Sequence, residues 1–89
     1  MAGYSLRIKP SAAKEGEAIE PRKLRRQVVE HLRRLATDPR PRGCEKLAGG
    51  SGRYRLRLGA YRIGYSIMDD EHLVVVFKVG HRSEVYRDR

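Results

Sequence analysis

Four arginines near the middle of the chain have a spacing that suits the binding of phosphate groups. Arg53, Arg55 and Arg57 alternate with aromatic and aliphatic residues, and Arg62 follows in a second run of the same alternation. Because alternate residues of a β-strand project from the same face of its sheet, we expect these guanidinium groups to share one surface. A guanidinium holds phosphate oxygens in pairs and keeps its charge at physiological pH. The pattern favours RNA as a ligand, and both cleavage and simple binding of RNA would use it.

Cleavage of RNA without a metal also requires groups that move protons. The neighbouring 2′-hydroxyl attacks the phosphorus, a base removes its proton, and an acid protonates the leaving 5′-oxygen. Arginine is a poor proton shuttle because its pKa lies above about 12, which leaves His81, Tyr86 and Glu45 as candidates. Histidine has a suitable pKa of about 6.5, whereas the tyrosine pKa of about 10 would have to be lowered by neighbouring guanidiniums.

Each candidate also has a structural interpretation. His81 can be a structural residue, and the ring of Tyr86 can pack at the edge of the core or stack on a base. Glu45 is the only carboxylate close in sequence to the arginine-rich hairpin, so we expect it to form a salt bridge, with general base as the alternative. No His, Cys, Asp or Glu cluster has metal-ligand spacing, and we predict no metal or cofactor.

The overall charge supports a polyanionic partner. The 89-residue chain has a net charge of +9, from 20 Lys and Arg against 11 Asp and Glu. Between positions 22 and 62 there are thirteen basic residues and three acidic ones. Phosphate contacts release counterions and drive binding regardless of sequence, so clustered charge of this kind favours a nucleic acid or the ribosome.

The N-terminal half is predicted to contain one strand and two helices. Residues 4–8 alternate apolar and polar side chains, which indicates a half-buried strand, and Pro10 ends it. Ser11 can cap a first helix that runs to Ile19, and Pro21 suits the first position of a second helix. The second helix carries an apolar stripe that we expect to be buried, made of Leu24, Val28, Leu32 and Leu35.

The C-terminal half is predicted to be rich in strands. Residues 38–44 contain two prolines and a glycine and should form a loop, and Gly59-Ala60 separates two alternating runs as a tight hairpin would. Residues 73–79 are apolar on both faces, which predicts a central strand that is covered on both sides. The order is β-α-α-β-β-β. We therefore predict one α+β domain over residues 1–89, an antiparallel sheet with both helices packed on one face.

Basic residues outside the apolar stripe give the second helix a strongly positive surface. Such a surface can be merely solvated, or it can contact RNA or the ribosome. The residues predicted to bind RNA or the ribosome are Arg22, Lys23, Arg25, Arg26, Arg33, Arg34, Lys46 and Arg53.

Cys44 is the single cysteine, so the chain forms no internal disulfide and a reducing compartment is expected. The sequence contains no apolar run of membrane-spanning length and no signal segment at its N-terminus. We therefore expect a cytoplasmic protein that does not contact a membrane.

Taken together, the motifs resemble those of the RelE/ParE toxin superfamily, in particular its RelE-like branch of ribosome-dependent mRNA interferases. The similarity extends over nearly the whole chain. The motifs are specific to the family when they are taken together, whereas any one of them alone is a weak signal. It consists of Lys46-Leu47-x-Gly49, Tyr54-Arg55-Leu56-Arg57, Tyr61-Arg62-Ile63-x-Tyr65, Asp69-Asp70, and Val79-Gly80-His81-Arg82 followed by Val85-Tyr86-Arg87.

The resemblance implies a microbial-ribonuclease-like sheet, cleavage of mRNA in the ribosomal A site, and neutralisation by a cognate RelB-like antitoxin. Arg55 and Arg57 occupy positions where the best-known branch has two lysines that face the substrate. The family also has catalytic residues on the next strand, in a Gly-x-Arg motif and near the C-terminus, and these match Arg62, Arg82 and Tyr86 respectively. Arginine in place of lysine makes proton donation from these positions less favourable, which points to His81 as the acid. A histidine in this region, with a glutamate before the lysine-leucine pair, also resembles the acid/base pair of sibling interferases.

We therefore predict a toxin that acts as a metal-independent endoribonuclease on ribosome-bound mRNA, is monomeric when free, and has an antitoxin, the ribosome and mRNA as partners. Two other functions remain open. One is a ParE-like inhibitor of DNA gyrase without ribonuclease activity. The other is a basic module that binds RNA or the ribosome without catalysis.

Overall fold

The computed structural model describes residues 3–47 and 52–81, which form two helices and a five-stranded sheet. A single 3₁₀ turn, Asp69–Glu71, joins the last two strands. The elements in chain order are β1 (Ser5–Ile8), α1 (Pro10–Glu17), α2 (Arg22–Arg34), β2 (Cys44–Lys46), β3 (Arg53–Leu58), β4 (Tyr61–Met68) and β5 (Leu73–His81).

The strands lie in the order β1-β5-β4-β3-β2. Strands β2 to β5 form an antiparallel series. The predicted order had three strands after the helices and so missed β2, which has only three residues and therefore no clear alternation. Strand β1 runs parallel to β5, with Ser5 opposite Leu73 and Ile8 opposite Val76. The sheet is therefore mixed, and the expectation of a wholly antiparallel sheet is wrong for β1. No turn connects these two strands, and alternation of apolar residues is the same in either direction, so the sequence pattern could not set their polarity.

Both helices pack on one face of the sheet, which confirms the α+β prediction. The stripe of α2 is buried at Val28, Leu32 and the following Leu35, and Leu24 packs partly buried against the same core. From α1 the core receives Ala12. The sheet contributes its alternate residues, which are Tyr54, Leu56, Ile63, Tyr65, Ile67, Val74, Val76 and Val79. Burial of this apolar surface is the main stabilising contribution.

Helix α1 also closes the part of β5 that β1 does not reach. Strand β1 ends opposite Val76, so the next backbone N–H groups on that edge of β5 have no strand partner. Glu15 of α1 accepts a hydrogen bond from the N–H of Val79 at 2.9 Å and pairs with Nζ of Lys78 at 3.0 Å. This carboxylate replaces a strand carbonyl and satisfies a backbone donor that would otherwise be costly to leave without a partner.

The β3–β4 hairpin has the two-residue turn that the sequence predicts. Leu58 lies opposite Tyr61, and Gly59 has a φ of +59° at the first central position. Glycine at this position is the signature of a type II′ turn, whose twist matches that of the flanking strands. The turn fixes the register of the two strands that carry the arginines.

Candidate nucleic-acid interface

The sheet surface opposite the helices carries the arginines, and we call it the arginine face. On β3 and β4 its basic residues are Arg53, Arg55, Arg57 and Arg62. Arg57 lies directly opposite Arg62, and Glu45 of β2 lies opposite Arg55. Directly opposed residues in an antiparallel pair have Cβ atoms about 4.5–5.5 Å apart. The prediction that the four arginines share one face is confirmed.

Arg62 is buried, whereas its neighbours on β3 are accessible. Only 5% of its surface is exposed, and its Nη1 donates to the carbonyl oxygens of Gly59 at 2.8 Å and Tyr61 at 3.0 Å. These contacts hold the β3–β4 turn. The strand alternation placed Arg62 on one surface with the other three guanidiniums, and the structure corrects this by showing that Arg62 is buried beneath that surface. Arg53 and Arg57 are exposed and Arg55 is half-buried, so a ligand would meet Arg53, Arg55 and Arg57 first.

Glu45 forms the salt bridge predicted from the sequence. Its Oε1 lies 2.5 Å from Nη2 of Arg55, and the two side chains are 52% and 20% exposed. The hydrogen bond from Arg55 holds the pKa of the Glu45 carboxyl below its usual value, and the charges of Arg55, Arg57 and Arg62 act in the same direction. Glu45 is therefore ionised at neutral pH. Among the described residues, the four guanidiniums of β3 and β4 outnumber this one carboxylate, which leaves a surplus of positive charge for an anionic ligand.

Strand β5 adds an aromatic ring to the arginine face. Val74, Val76 and Val79 are buried against the helices, but Val75 and Phe77 are only half-buried on the other side. The prediction that both faces of this strand are covered is therefore wrong for the described residues. Phe77 belongs to none of the sequence motifs described above. The sheet has a register shift at this position, and Arg53 lies over the Phe77 ring.

His81 lies at the end of β5, away from the arginines. It is directly opposite Tyr61, whose side chain packs against the core on the helix side, and the two rings meet edge to face with centroids 5.8 Å apart. The register thus places His81 on the opposite face of the sheet from Arg55 and Arg57. The structure does not bring these groups together. Arg82 and Tyr86 lie outside the described residues.

The basic residues of α2 form a separate surface on the other side of the molecule. Arg25 is half-buried, and its Nη1 donates to the carbonyl of Glu17 at 2.9 Å. Lys46 is exposed at the edge strand β2, opposite Tyr54, and so lies on the helix side of the sheet. The remaining predicted contacts are all exposed: Arg22, Lys23, Arg26, Arg33 and Arg34. Positive charge therefore lies on both sides of the fold.

A second polar cluster, the Arg40–Asp69 network, lies where β4 ends. Arg40 pairs with Asp69 at 2.8 Å and donates from Nε to the hydroxyl of Tyr54 at 3.1 Å. The hydroxyl of Tyr4 donates to Asp69 at 2.7 Å. These hydrogen bonds hold the pKa of the Asp69 carboxyl below its usual value. Beneath them Tyr65 is fully buried and stacks on Tyr54, so both tyrosines belong to the core.

Across positions 3–47 and 52–81, no group of three or more His, Cys, Asp or Glu side chains could hold a metal ion. Neither helix in these ranges is long and apolar enough to cross a membrane.

Comparison with known proteins shows the class of protein to which the chain belongs. Residues 6–86 match the family model described as the ParE toxin of the type II toxin–antitoxin system parDE. The chain belongs to the RelE/ParE superfamily of type II toxin–antitoxin toxins, and its similarities within that superfamily are RelE-like. Toxin RelG of Mycobacterium tuberculosis is 30% identical over 84 residues, which cover 94% of this chain and 97% of RelG.

Solved structures show the same relationship. RelE in the archaeal RelE–RelB complex from Pyrococcus horikoshii matches with a TM-score of 0.79 and 29% identity over 92% of this chain and 97% of that one. The isolated E. coli RelE toxin matches with a TM-score of 0.74 and 31% identity over 96% and 93% of the two chains. The resemblance inferred from the motifs is confirmed at the level of the superfamily and the fold.

Proposed function

We propose that the protein is an endoribonuclease that cleaves mRNA in the ribosomal A site and thereby stops translation. The observation that carries this proposal is the arginine face, where Arg55 and Arg57 project side by side from β3 with Arg62 in register behind them. Their surplus of charge is suited to a phosphodiester and to the additional negative charge that develops on it during cleavage. The E. coli and Pyrococcus RelE structures, which the chain resembles over nearly its full length, support the same assignment.

In this mechanism the 2′-hydroxyl of the substrate attacks the adjacent phosphorus and the bond to the 5′-oxygen breaks. The products are a 2′,3′-cyclic phosphate and a free 5′-hydroxyl, so the chemistry requires no metal. Arg55 and Arg57 hold the nonbridging oxygens in the transition state. Arg62 is a positioning residue, because its contacts with the turn carbonyls fix the strand that presents Arg57.

The two proton transfers are assigned to the C-terminal end of the chain. Tyr86 and Arg82 match the family motif, and Tyr86 acts as base if guanidiniums acidify its phenol. His81 is the candidate acid although its register lies on the helix side, and Glu45 is the alternative base. Single-turnover cleavage by Tyr86→Phe and His81→Gln tests this assignment. We expect loss of a true acid or base to cost about a hundredfold, and a rate within a few-fold of wild type for His81→Gln would remove it from the mechanism.

We propose that the ribosome is required because no strong base is present among the described residues of the arginine face. Holding the mRNA with its 2′-hydroxyl in line with the leaving oxygen can supply much of the barrier reduction. The exposed basic surface of α2 is on the opposite side from the arginine face, so it can contact ribosomal RNA while mRNA occupies the site. The protein would therefore act in the cytoplasm, as a monomer when free.

A RelB-like antitoxin is the proposed partner, since the Pyrococcus relative was solved in complex with RelB. An acidic segment that lies across the arginine face would neutralise its surplus charge and exclude substrate. Co-expression with the gene of such an antitoxin should restore growth.

The family model is named for ParE, and this observation favours inhibition of DNA gyrase as the second candidate. Induction of the protein in growing bacteria separates the two. For the ribonuclease we expect new mRNA 5′ ends within codons that occupy the A site, with plasmid supercoiling unchanged. Intact mRNA with loss of supercoiling would support the gyrase function, and intact mRNA with normal supercoiling would leave a module that only binds.

A further inference from the structure

A β-bulge in β5 directs an aromatic side chain onto the arginine face. Gly64 pairs with Lys78 and Tyr65 pairs with Val76, so Phe77 is an additional residue without its own partner on β4. Bulges of this kind are frequent beside active sites because they redirect a side chain. Lys78, the second residue of the bulge, reaches Glu15 of α1. Phe77 is the bulge residue whose ring contacts an arginine of this face.

The ring of Phe77 lies over Gly64, directly beside Arg55. A Cβ built on Gly64 would lie 2.8 Å from Cε1 and 3.0 Å from Cζ of the ring, so the absence of a side chain there makes room for it. Gly64 is the cross-strand partner of Arg55. The ring tip therefore occupies the cross-strand position beside Arg55, the residue that we assign to the scissile phosphate.

Arg53 completes the arrangement from the other side. Its guanidinium carbon lies 5.6 Å from the centroid of the Phe77 ring, within the range of a cation–π interaction. Arg53 is exposed and Phe77 is half-buried, so this flat pair of groups remains accessible to a ligand. An aromatic ring and a guanidinium plane are the two side-chain surfaces on which unpaired RNA bases stack.

We infer that Phe77 and Arg53 form a stacking subsite for one base of the substrate, adjacent to the phosphate held by Arg55. The inference rests on the proposed RNA substrate and adds a determinant of how the strand is placed. A single strand alternates phosphate and base, and the arginine face provides a charged site and a stacking site next to each other. An apolar protein segment is less well matched to the ring because Arg53 lies over it and Arg55 is on the neighbouring strand.

The test measures binding and cleavage of mRNA on programmed ribosomes with wild-type protein and Phe77→Leu, which keeps an apolar side chain but removes the ring. Binding uses mRNA with a 2′-deoxy sugar at the cleaved position, which prevents cleavage. A set of mRNAs with an abasic nucleotide at each of the three codon positions identifies the stacked base. Phe77→Tyr is the conservative control, and Val75→Leu controls for a volume change on the same face, further from Arg55.

We expect Phe77→Leu to weaken binding about tenfold on the natural codon, within the usual range for one stacked base. On the mRNA that is abasic at one particular codon position, Phe77→Leu and wild type should bind equally well. On the natural codon, Phe77→Tyr and Val75→Leu should bind about as well as wild type. An equal loss on all abasic templates would overturn the inference, since the ring would then act only on the fold. Unchanged RNA binding with weakened antitoxin binding would also overturn it and identify a protein-docking surface.

The two readouts keep this inference separate from the proposed function. If wild-type protein binds the deoxy mRNA with the expected base dependence but leaves ordinary mRNA uncut, the stacking subsite stands and the ribonuclease proposal fails. If ordinary mRNA is cut but no abasic position removes the effect of Phe77→Leu, the ribonuclease proposal stands and the subsite fails.

Discussion

The described residues form two arginine–carboxylate pairs with different surroundings. Arg40 and Asp69 lie 2.8 Å apart in a network where Tyr4 also donates to the carboxylate and Tyr54 accepts from the arginine. Arg55 and Glu45 lie 2.5 Å apart on the arginine face. Three further guanidiniums share that face, so its charge is not balanced by the pair.

The difference indicates what each region is for. In the Arg40–Asp69 network the polar groups find partners within the fold, and the region joins the loop before β2 to the end of β4. Around Glu45 the guanidiniums outnumber the carboxylate. The guanidiniums therefore repel one another, and an incoming phosphate would relieve this repulsion. The carboxylate of each pair is more than half exposed, so neither pair is expected to contribute much to stability alone. The proposed RNA cleavage depends on the surplus of positive charge on the arginine face and not on the Arg55–Glu45 pair.

The largest effect should come from the surplus charge. Arg57→Ala should lower single-turnover cleavage of ribosome-bound mRNA by about a hundredfold, or about 3 kcal/mol, because a preorganised donor acts on charge that develops in the transition state. The melting temperature should change little because Arg57 is exposed. Arg40→Ala is the matched control and should keep the wild-type rate. Equal losses in the two variants would remove the distinction between the regions.

Next in size is a stability effect confined to the network side. Tyr65 is fully buried, and its hydroxyl donates to the carbonyl oxygen of Pro39 at 2.7 Å. Burial raises the pKa of this phenol above its usual value, so it remains a neutral donor across the physiological range. Tyr65→Phe leaves a buried carbonyl without that donor and should cost about 1–3 kcal/mol in urea unfolding. The cleavage rate of the folded variant should not change, and a large loss of rate would show that the network supports the site.

These residues also show what sequence alone could predict. The alternation of Arg53, Arg55 and Arg57 with apolar residues set their common face, because strand periodicity is a local property. The buried stripe of α2 followed from helical periodicity in the same way. Both features are correct in the structure.

Features that depend on distant parts of the chain were not predicted. The three-residue strand β2 is too short for a periodic signal, and burial of Arg62 depends on carbonyls of a turn. The position of Phe77 depends on the bulge against β4. One signal for it was available, since a glycine inside a strand, here Gly64, often marks a bulge or a close approach.

A smaller effect should distinguish the roles open to Glu45. Glu45→Gln removes the one described carboxylate from the arginine face, so binding of ribosome-bound deoxy mRNA should tighten about threefold as the net positive charge rises. The cleavage rate should remain within about threefold of wild type if Glu45 is an ion-pair partner. A dead enzyme that still binds would identify Glu45 as the general base and overturn its assignment.

The smallest effect should appear in acid. Because the folded-state pKa of Asp69 is lowered, its ion pair stabilises the fold above the unfolded-state pKa, and this contribution is lost as the pH falls through the folded-state value. Asp69→Asn should therefore be slightly less stable than wild type at pH 7 and should lose less stability between pH 7 and acid. Thermal melts across this range provide the measurement. Parallel curves for the two proteins would show that the pair contributes nothing to folding.

Mapping of product ends on purified programmed ribosomes shows whether the arginine face is a site of RNA cleavage. We expect mRNA to be cut within the A-site codon and the upstream fragment to end in a 2′,3′-cyclic phosphate. Arg55→Ala combined with Arg57→Ala should abolish the cut without unfolding the protein. Ribosome-bound mRNA that remains intact in the presence of folded wild-type protein, or a cut that the double variant makes at the normal rate, would contradict cleavage at this face.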